Sequence, residues 1–244
     1  MVPSETILPL LTTYAREFYQ LCDMVTAPSR HARQSMLDEG YTVPIEVLSN
    51  GVDIPLEVVR SPEKVPIVLS VTRVDPDKNI DLLLEVARRF SQDARFVIVG
   101  GGSLLKQYQE QIAGDQELKH VRFIGQVQAG SAALDRWYQR ATLFFVPSLV
   151  ETQGLALLEA MARAVPALAV RAGALPELVL SKKTGWVADP SADEIEPLLR
   201  AALADSSALA AYGTAARKMA EHEHGRPRVI ARLEELYASL LKAK

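Results

Sequence analysis

The sequence predicts an α/β fold: a parallel sheet with helices on both faces. Three observations carry that prediction. Between Pro66 and Ala188, short apolar runs alternate with segments of helical periodicity. The runs are almost wholly apolar rather than alternating, which marks strands covered on both faces. Polar loops follow each run and lead into the next helical segment, as in repeated βαβ units with right-handed crossovers.

The elements follow in order. Glu5 to Met24 carries Ile7, Leu10, Leu11, Tyr14, Phe18 and Leu21 at helical spacing. Val25-Thr26-Ala27 reads as a short strand, and Ser29 as the N-cap of a helix through Leu37 that Gly40 stops. Ile45 to Leu48 is a strand and Asn50-Gly51 a turn. Strands are then expected at Ile67–Val71, Phe96–Val99, Val121–Gly125, Leu143–Val146, Ala167–Val170 and Trp186–Ala188. Helices are expected at Ile80–Phe90, from the glycines through Ile112, at Ala132–Arg140 and at Gly154–Arg163. The last part is helical: Ala192–Ala204, Ala208–Glu223 and Arg226–Lys242.

Composition narrows the function classes. The net charge of -3 and the lack of a Lys/Arg cluster on one expected face argue against a nucleic-acid partner. Cys22 is the sole cysteine, so no internal disulfide can form, which fits a reducing compartment. No apolar run reaches the ~20 residues that span a bilayer, and no signal-peptide pattern opens the chain. A soluble cytoplasmic protein is expected.

Three loops carry candidate chemistry. Thr72 to Lys78 follows a strand and places two cations, Arg73 and Lys78, where ligands bind in such sheets. A guanidinium fork and an ammonium suit a diphosphate, though a solvated loop reads equally well. Gly100-Gly101-Gly102 permits close backbone approach to a ligand, or makes a tight strand-to-helix turn. The strongest segment is Pro147 to Ala162. Gly154 opens a helix, leaving the N–H groups of Gly154 and Leu155 for an anion. Glu159 sits among Leu157, Leu158 and Met161, where a carboxylate needs a partner. Two ribose hydroxyls or a neighbouring cation would serve. Glu151, before the helix, can reach hydroxyls on a group attached to the phosphate, or act as a helix-start acid.

The Glu-x7-Glu pattern in ETQGLALLEAMA, preceded by FVPS, resembles the retaining GT-B glycosyltransferases of the GT4 family. SNGVD at Ser49, SVTRVDPDKNID at Ser70, VGGGS at Val99, FIGQV at Phe123 and AGALPELV at Ala172 agree in order and spacing. The resemblance covers nearly all of the chain from Val25 on. It implies the C-terminal, Rossmann-like nucleotide-sugar-binding domain of such an enzyme. Arg73 and Lys78 would hold the diphosphate, and with Glu151, on the sugar hydroxyls, they form the catalytic set. Glu159 would hold the ribose, and Val127 would meet the base through its backbone. Gly101, Gly102, Thr152, Gln153, Gly154 and Leu155 complete the donor-binding set, partly through backbone N–H groups.

No cofactor and no metal are expected, because cationic side chains and a helix end would stabilise the leaving diphosphate. The implied reaction moves a hexose from a UDP or GDP sugar, UDP-glucose favoured, to an acceptor with retention. Residues 1–52 would be closing helices and linker of an N-terminal acceptor domain, 53–225 the donor domain and 226–244 a crossover helix. With most of that acceptor domain missing, the chain alone is expected to be inactive. Its last helix, with Val229, Ile230, Leu233, Leu236, Tyr237, Leu240 and Leu241 on one face, would lack part of its partner. Thr152-Gln153 resembles the variant in enzymes with lipid acceptors, so a lipid or glycan acceptor and peripheral membrane contact of the full-length protein are both compatible. A non-catalytic nucleotide-sugar-binding module is the alternative, and an epimerase a more distant one.

Other residues read as structural. His222 and His224 fall on different helix faces and fit a solvated helix end better than a metal site. Trp137 and Trp186 read as packing residues, and Ser148 lacks the pattern of a hydrolase nucleophile.

Overall fold

The computed structural model describes the backbone of residues 4–242 and the side chains of residues 11–242. The expected face residues Ile7 and Leu10, and the chain's outermost residues at both ends, therefore lie outside the described side chains.

The chain opens with helix α1 (Ser4–Gln20), strand β1 (Val25–Ala27), helix α2 (Arg30–Asp38) and strand β2 (Ile45–Val47). Ser29 caps α2 as expected, its hydroxyl accepting the Ala32 N–H at 3.0 Å. β1 and β2 pair in parallel, Val25 opposite Ile45, with α2 as the crossover. They close over a small core of their own: Ala27, Ala32, Tyr41, Val43 and Ile45. The sequence marks both strands but not their pairing, which joins residues twenty apart through side-chain packing. The described part of the apolar stripe of α1 is largely open to solvent. Leu11, Tyr14, Phe18 and Leu21 are each more than half exposed.

The main sheet has six parallel strands: β3 (Ile67–Val71), β4 (Arg95–Val99), β5 (Val121–Gly125), β6 (Leu143–Val146), β7 (Ala167–Val170) and β8 (Gly185–Ala188). Their spatial order is β5-β4-β3-β6-β7-β8. Helices α3 (Ile80–Arg88), α4 (Leu105–Ala113), α5 (Ala132–Arg140), α6 (Leu155–Ala162) and the short α7 (Leu175–Leu178) connect them. The helices α8 (Ala192–Ala204), α9 (Ser206–Met219) and α10 (Arg226–Lys242) follow. The parallel sheet expected from the apolar runs, Rossmann-like as the resemblance implies, is therefore present. Strands β3, β4, β6 and β7 are buried along nearly their whole length. Full burial of each large apolar side chain contributes about 1.5–3 kcal/mol.

The strand order sets the position of the site. From β3 the chain moves outward through β4 and β5, then returns to place β6 against the other side of β3. The loops after β3 and β6 therefore diverge from neighbouring strands at the carboxyl edge, where such sheets bind ligands.

Two half-buried cations lock the segment ahead of β3 in place. Arg60 donates to the carbonyls of Tyr138 (2.9 Å) and Ala141 (2.6 Å), satisfying the end of α5. Burial lowers its pKa to about 10. Arg217 bridges the carbonyls of Ala162 (2.5 Å) and Pro55 (2.6 Å).

The expected helix Ala208–Glu223 differs in its last turn. α9 stops at Met219, and Ala220–His224 form a π turn. That turn overturns the solvated reading of His224. His222 is exposed, whereas His224 Nδ1 lies 3.0 Å from Ser49 Oγ. The physical reason is a chain crossing: the Val52 N–H donates to the His224 carbonyl at 2.8 Å. Trp186 is buried against Tyr212, and Trp137 lies under Arg140. On α10 only Leu236 is buried, while Ile230, Tyr237 and Leu241 remain exposed. Among the described residues, no helix is long and apolar enough to cross a membrane.

Candidate functional site

The two loops at the switch point meet through one cation. Lys78 ends a 3-10 turn (Pro76–Lys78), and the left-handed Asn79 then redirects the chain into α3. Its side chain is only 11% exposed, so its ammonium needs partners. It finds Glu151 Oε1 at 2.9 Å, the Val150 carbonyl at 3.1 Å and Asp77 Oδ2 at 3.1 Å. Ser148 Oγ stands 3.4 Å away. Arg73 is more exposed and is held by Asp75 (2.7 Å) and Asp77 (3.4 Å). Asp75 also accepts from the N–H and hydroxyl of Ser103, both at 2.8 Å. Those two hydrogen bonds are the main reason its pKa is lowered, with Arg73 and Lys78 adding to the effect.

The glycines of the next loop have a structural reason that sequence reading left open. A Cβ at Gly100 would stand 1.8 Å from the Thr72 carbonyl oxygen, and one at Gly102 2.4 Å from that of Val74. Both glycines let the loops after β3 and β4 lie backbone to backbone, joined by Val74 N–H to Gly101 O at 2.8 Å. Gly101 faces more open space, with Gln126 3.4 Å from where a Cβ would be. Val127, just beyond β5, packs partly against the core.

Gly154 caps α6 with φ 83°, ψ 62°, a left-handed conformation that favours glycine, and without a side-chain cap. The first-turn N–H groups of α6 therefore keep the anion-binding character of an open helix start. Behind the loop, the Ala174 N–H holds the Glu151 carbonyl at 2.9 Å. Gly173 is required there, because its Cβ would come 2.5 Å from that same oxygen.

Arg73, Lys78, Glu151, Gly154 and Leu155 line one cavity of about 390 Å³ at the carboxyl edge. Glu159 lines a neighbouring cavity of about 180 Å³, and Leu155 borders both. The partner of Glu159 is not a cation. The Tyr138 hydroxyl donates to Glu159 Oε2 at 2.7 Å. Burial, then the Glu159 charge, pushes the Tyr138 phenol pKa well up, so the phenol stays a donor.

Two residues of the expected donor set also make contacts outside the Lys78 cavity. Gln153 is buried, and its side chain turns away from the cavity of Lys78. Its Nε2 donates to Ser49 Oγ at 2.6 Å and its Oε1 accepts the Asn50 N–H at 3.1 Å. The Thr152 carbonyl accepts from Ser29 Oγ at 2.5 Å. Both residues bolt the loop to the β1–α2–β2 unit, Thr152 through its carbonyl and Gln153 through its side chain. Glu177 adds a third bolt, accepting the Arg30 and His31 N–H groups at the start of α2. The sequence marks Ser29 only as a cap and Ser49, Gly173 and Glu177 only within family motifs, and it gives Tyr138 no role; the contacts that bring them to the site each cross a gap in the chain.

Fold and site together define a class: a doubly wound α/β domain with cations, an open helix start and two separated carboxylates at its switch point. The chain belongs to the family described as glycosyl transferases group 1, which it matches over residues 56–219. It is 32% identical over 263 aligned positions to a GDP-mannose-dependent alpha-(1-6)-phosphatidylinositol monomannoside mannosyltransferase of Mycolicibacterium smegmatis. That alignment takes in 98% of this chain and 68% of the mannosyltransferase. A sulfoquinovosyl transferase of Arabidopsis thaliana is 31% identical over 164 residues, covering 66% of this chain and 31% of that protein. Sucrose-phosphate synthase from Thermosynechococcus elongatus superposes with a TM-score of 0.86 at 23% identity, over all of this chain and 65% of its own. Anabaena HepE, solved with UDP-glucose, gives 0.83 at 21% identity, over 97% of this chain and 68% of its own. These likenesses establish the fold of a GT-B C-terminal domain.

Proposed function

We propose that this chain binds a nucleoside-diphosphate sugar and presents it for transfer of a hexose to an acceptor, with retention. One observation carries the reading: Lys78 and Glu151 share a cavity at an open helix start, and Glu159 lines the next cavity along the same helix. Arg73, Lys78 and the first N–H groups of α6 take the diphosphate, and as it leaves they stabilise its charge without a metal. Glu151 accepts hydroxyls of the sugar, Glu159 those of the ribose, and the backbone near Val127 meets the base. Gly101 and Gly102 stand beside the same edge. Glu151 neutralises Lys78, and a diphosphate would take over that role.

The division into 1–52, 53–225 and 226–244 belongs to the same proposal, with the acceptor on a second domain facing this edge. The acceptor is a lipid or a glycan. UDP-glucose is the favoured donor. GDP-mannose is the second, because the mannosyltransferase relative is named for it. Calorimetric titration with UDP, UDP-glucose, GDP and GDP-mannose tests the reading. Saturable heat from one base, enlarged by its sugar, supports it; no heat from any of the four overturns it.

A further inference from the structure

A favourable ion pair is missing from α6. Glu159 and Arg163 stand at i and i+4, with the acid N-terminal, which is the favoured order for pairing on a helix. Yet Glu159 makes no ion pair among the described residues. Arg163 is drawn instead to Asp135 on α5, where its Nε donates to Oδ1. Its Nη1 donates to the Glu159 backbone carbonyl at 3.0 Å, and its guanidinium carbon lies 5.1 Å from the centre of the Tyr138 ring. The Glu159 carboxylate is left with one neutral donor, the buried Tyr138 hydroxyl at 2.7 Å.

This arrangement has a chemical consequence. A guanidinium fork on Glu159 would occupy both carboxylate oxygens, and any hydroxyl ligand would have to displace it. One phenol takes a single lone pair and anchors one oxygen of the group. A carboxylate offers about four acceptor positions, so Oε1 and the rest of Oε2 stay open. Asp135, Tyr138, Glu159 and Arg163 all line the same cavity of about 180 Å³.

We propose that Asp135 and Tyr138 are positioning residues for a vicinal diol, which on the nucleotide-sugar reading above is the donor ribose. Asp135 holds Arg163 away from Glu159, and Tyr138 aims the freed carboxylate at the two hydroxyls. The inference rests on that reading and adds to it a pair of residues that act through Glu159.

The test uses this chain with UDP and GDP and with their 2′,3′-dideoxy counterparts. Asp135→Ala should let Arg163 swing onto Glu159 and weaken the tighter ribonucleotide about tenfold, the loss of roughly one charge-assisted hydrogen bond. The dideoxynucleotide should stay within about threefold of its wild-type affinity. Adding Arg163→Gln to Asp135→Ala should restore most of the ribonucleotide affinity, which repair of a merely structural defect would not do. Tyr138→Phe, which keeps the packing, should also weaken the ribonucleotide and spare the dideoxy form. The proposal is overturned if Asp135→Ala leaves ribonucleotide binding unchanged, if it weakens both forms equally, or if the second substitution restores nothing. A wild-type chain that binds the nucleotide but does not distinguish the dideoxy form defeats the ribose assignment alone. A wild-type chain that binds no nucleotide defeats the reading beneath it.

Discussion

The two carboxylates of the site sit on one short segment and are treated in opposite ways. Glu151 lies in the loop before α6 and is paired directly with a nearly buried ammonium, Lys78. Glu159 lies within α6 and is kept from the guanidinium one turn away, with a phenol as its partner. The difference teaches what each end can do. The Glu151 end is a charge-balanced socket that an incoming polyanion can reorganise, because a diphosphate competes with Glu151 for Lys78. The Glu159 end is a fixed set of acceptors that needs neutral donors and little rearrangement.

The contrast can be broken at its strongest point first. Lys78→Ala should cost about 100-fold in UDP or GDP affinity, of the order seen when one partner of a desolvated, charge-assisted contact is removed. It should also leave Glu151 unpaired. Calorimetry on the variant measures the loss, and an affinity within a few-fold of wild type would remove Lys78 from the diphosphate. Glu159→Ala comes next, with about a tenfold loss on ribonucleotides. Its heat of binding should become the same for ribo- and dideoxynucleotides; a persistent preference for ribose would place the diol elsewhere.

Glu151→Gln sharpens the comparison rather than breaking it. Removing a negative charge beside Lys78 should leave UDP affinity equal or slightly higher, while the added affinity of UDP-glucose over UDP falls several-fold. Parallel titrations of the two ligands read this directly, and a large drop in UDP binding itself would contradict it. Salt offers a smaller effect. Raising ionic strength should weaken the diphosphate contribution through Arg73, which is exposed, and hardly touch the discrimination against dideoxynucleotides at Glu159.

The smallest effect concerns the chain crossing beneath the loop. His224 is pushed below its usual value of 6.5 chiefly by burial, and its Nε2 is buried without a partner among the described residues. The unfolded chain therefore takes up a proton here before the folded one does. Stability should be level above about pH 6.5 and fall as pH drops below it, because the unfolded state then binds more protons. His224→Gln should flatten that part of the profile in thermal melts between pH 5.5 and 7.5. An unchanged slope would show that other groups set it.

Sequence alone determined much of this protein. The apolar runs located all six strands of the main sheet within a residue or two, since a buried parallel strand has to be apolar on both faces. The spacing of Arg73, Lys78, Glu151, Gly154 and Glu159 identified a family, because local loop and helix-start chemistry is written in neighbouring residues. Tertiary structure alone decided the partners. It paired β1 with β2, set the glycines at 100 and 102 against another loop's backbone, and turned the Gln153 side chain towards Ser49 and Asn50. It also led Arg163 past Glu159 to Asp135. The physical reason is the same in each case. A side chain's hydrogen-bonding options are fixed by its chemistry, but the choice among them depends on which distant backbone or charge the fold brings within about 3 Å.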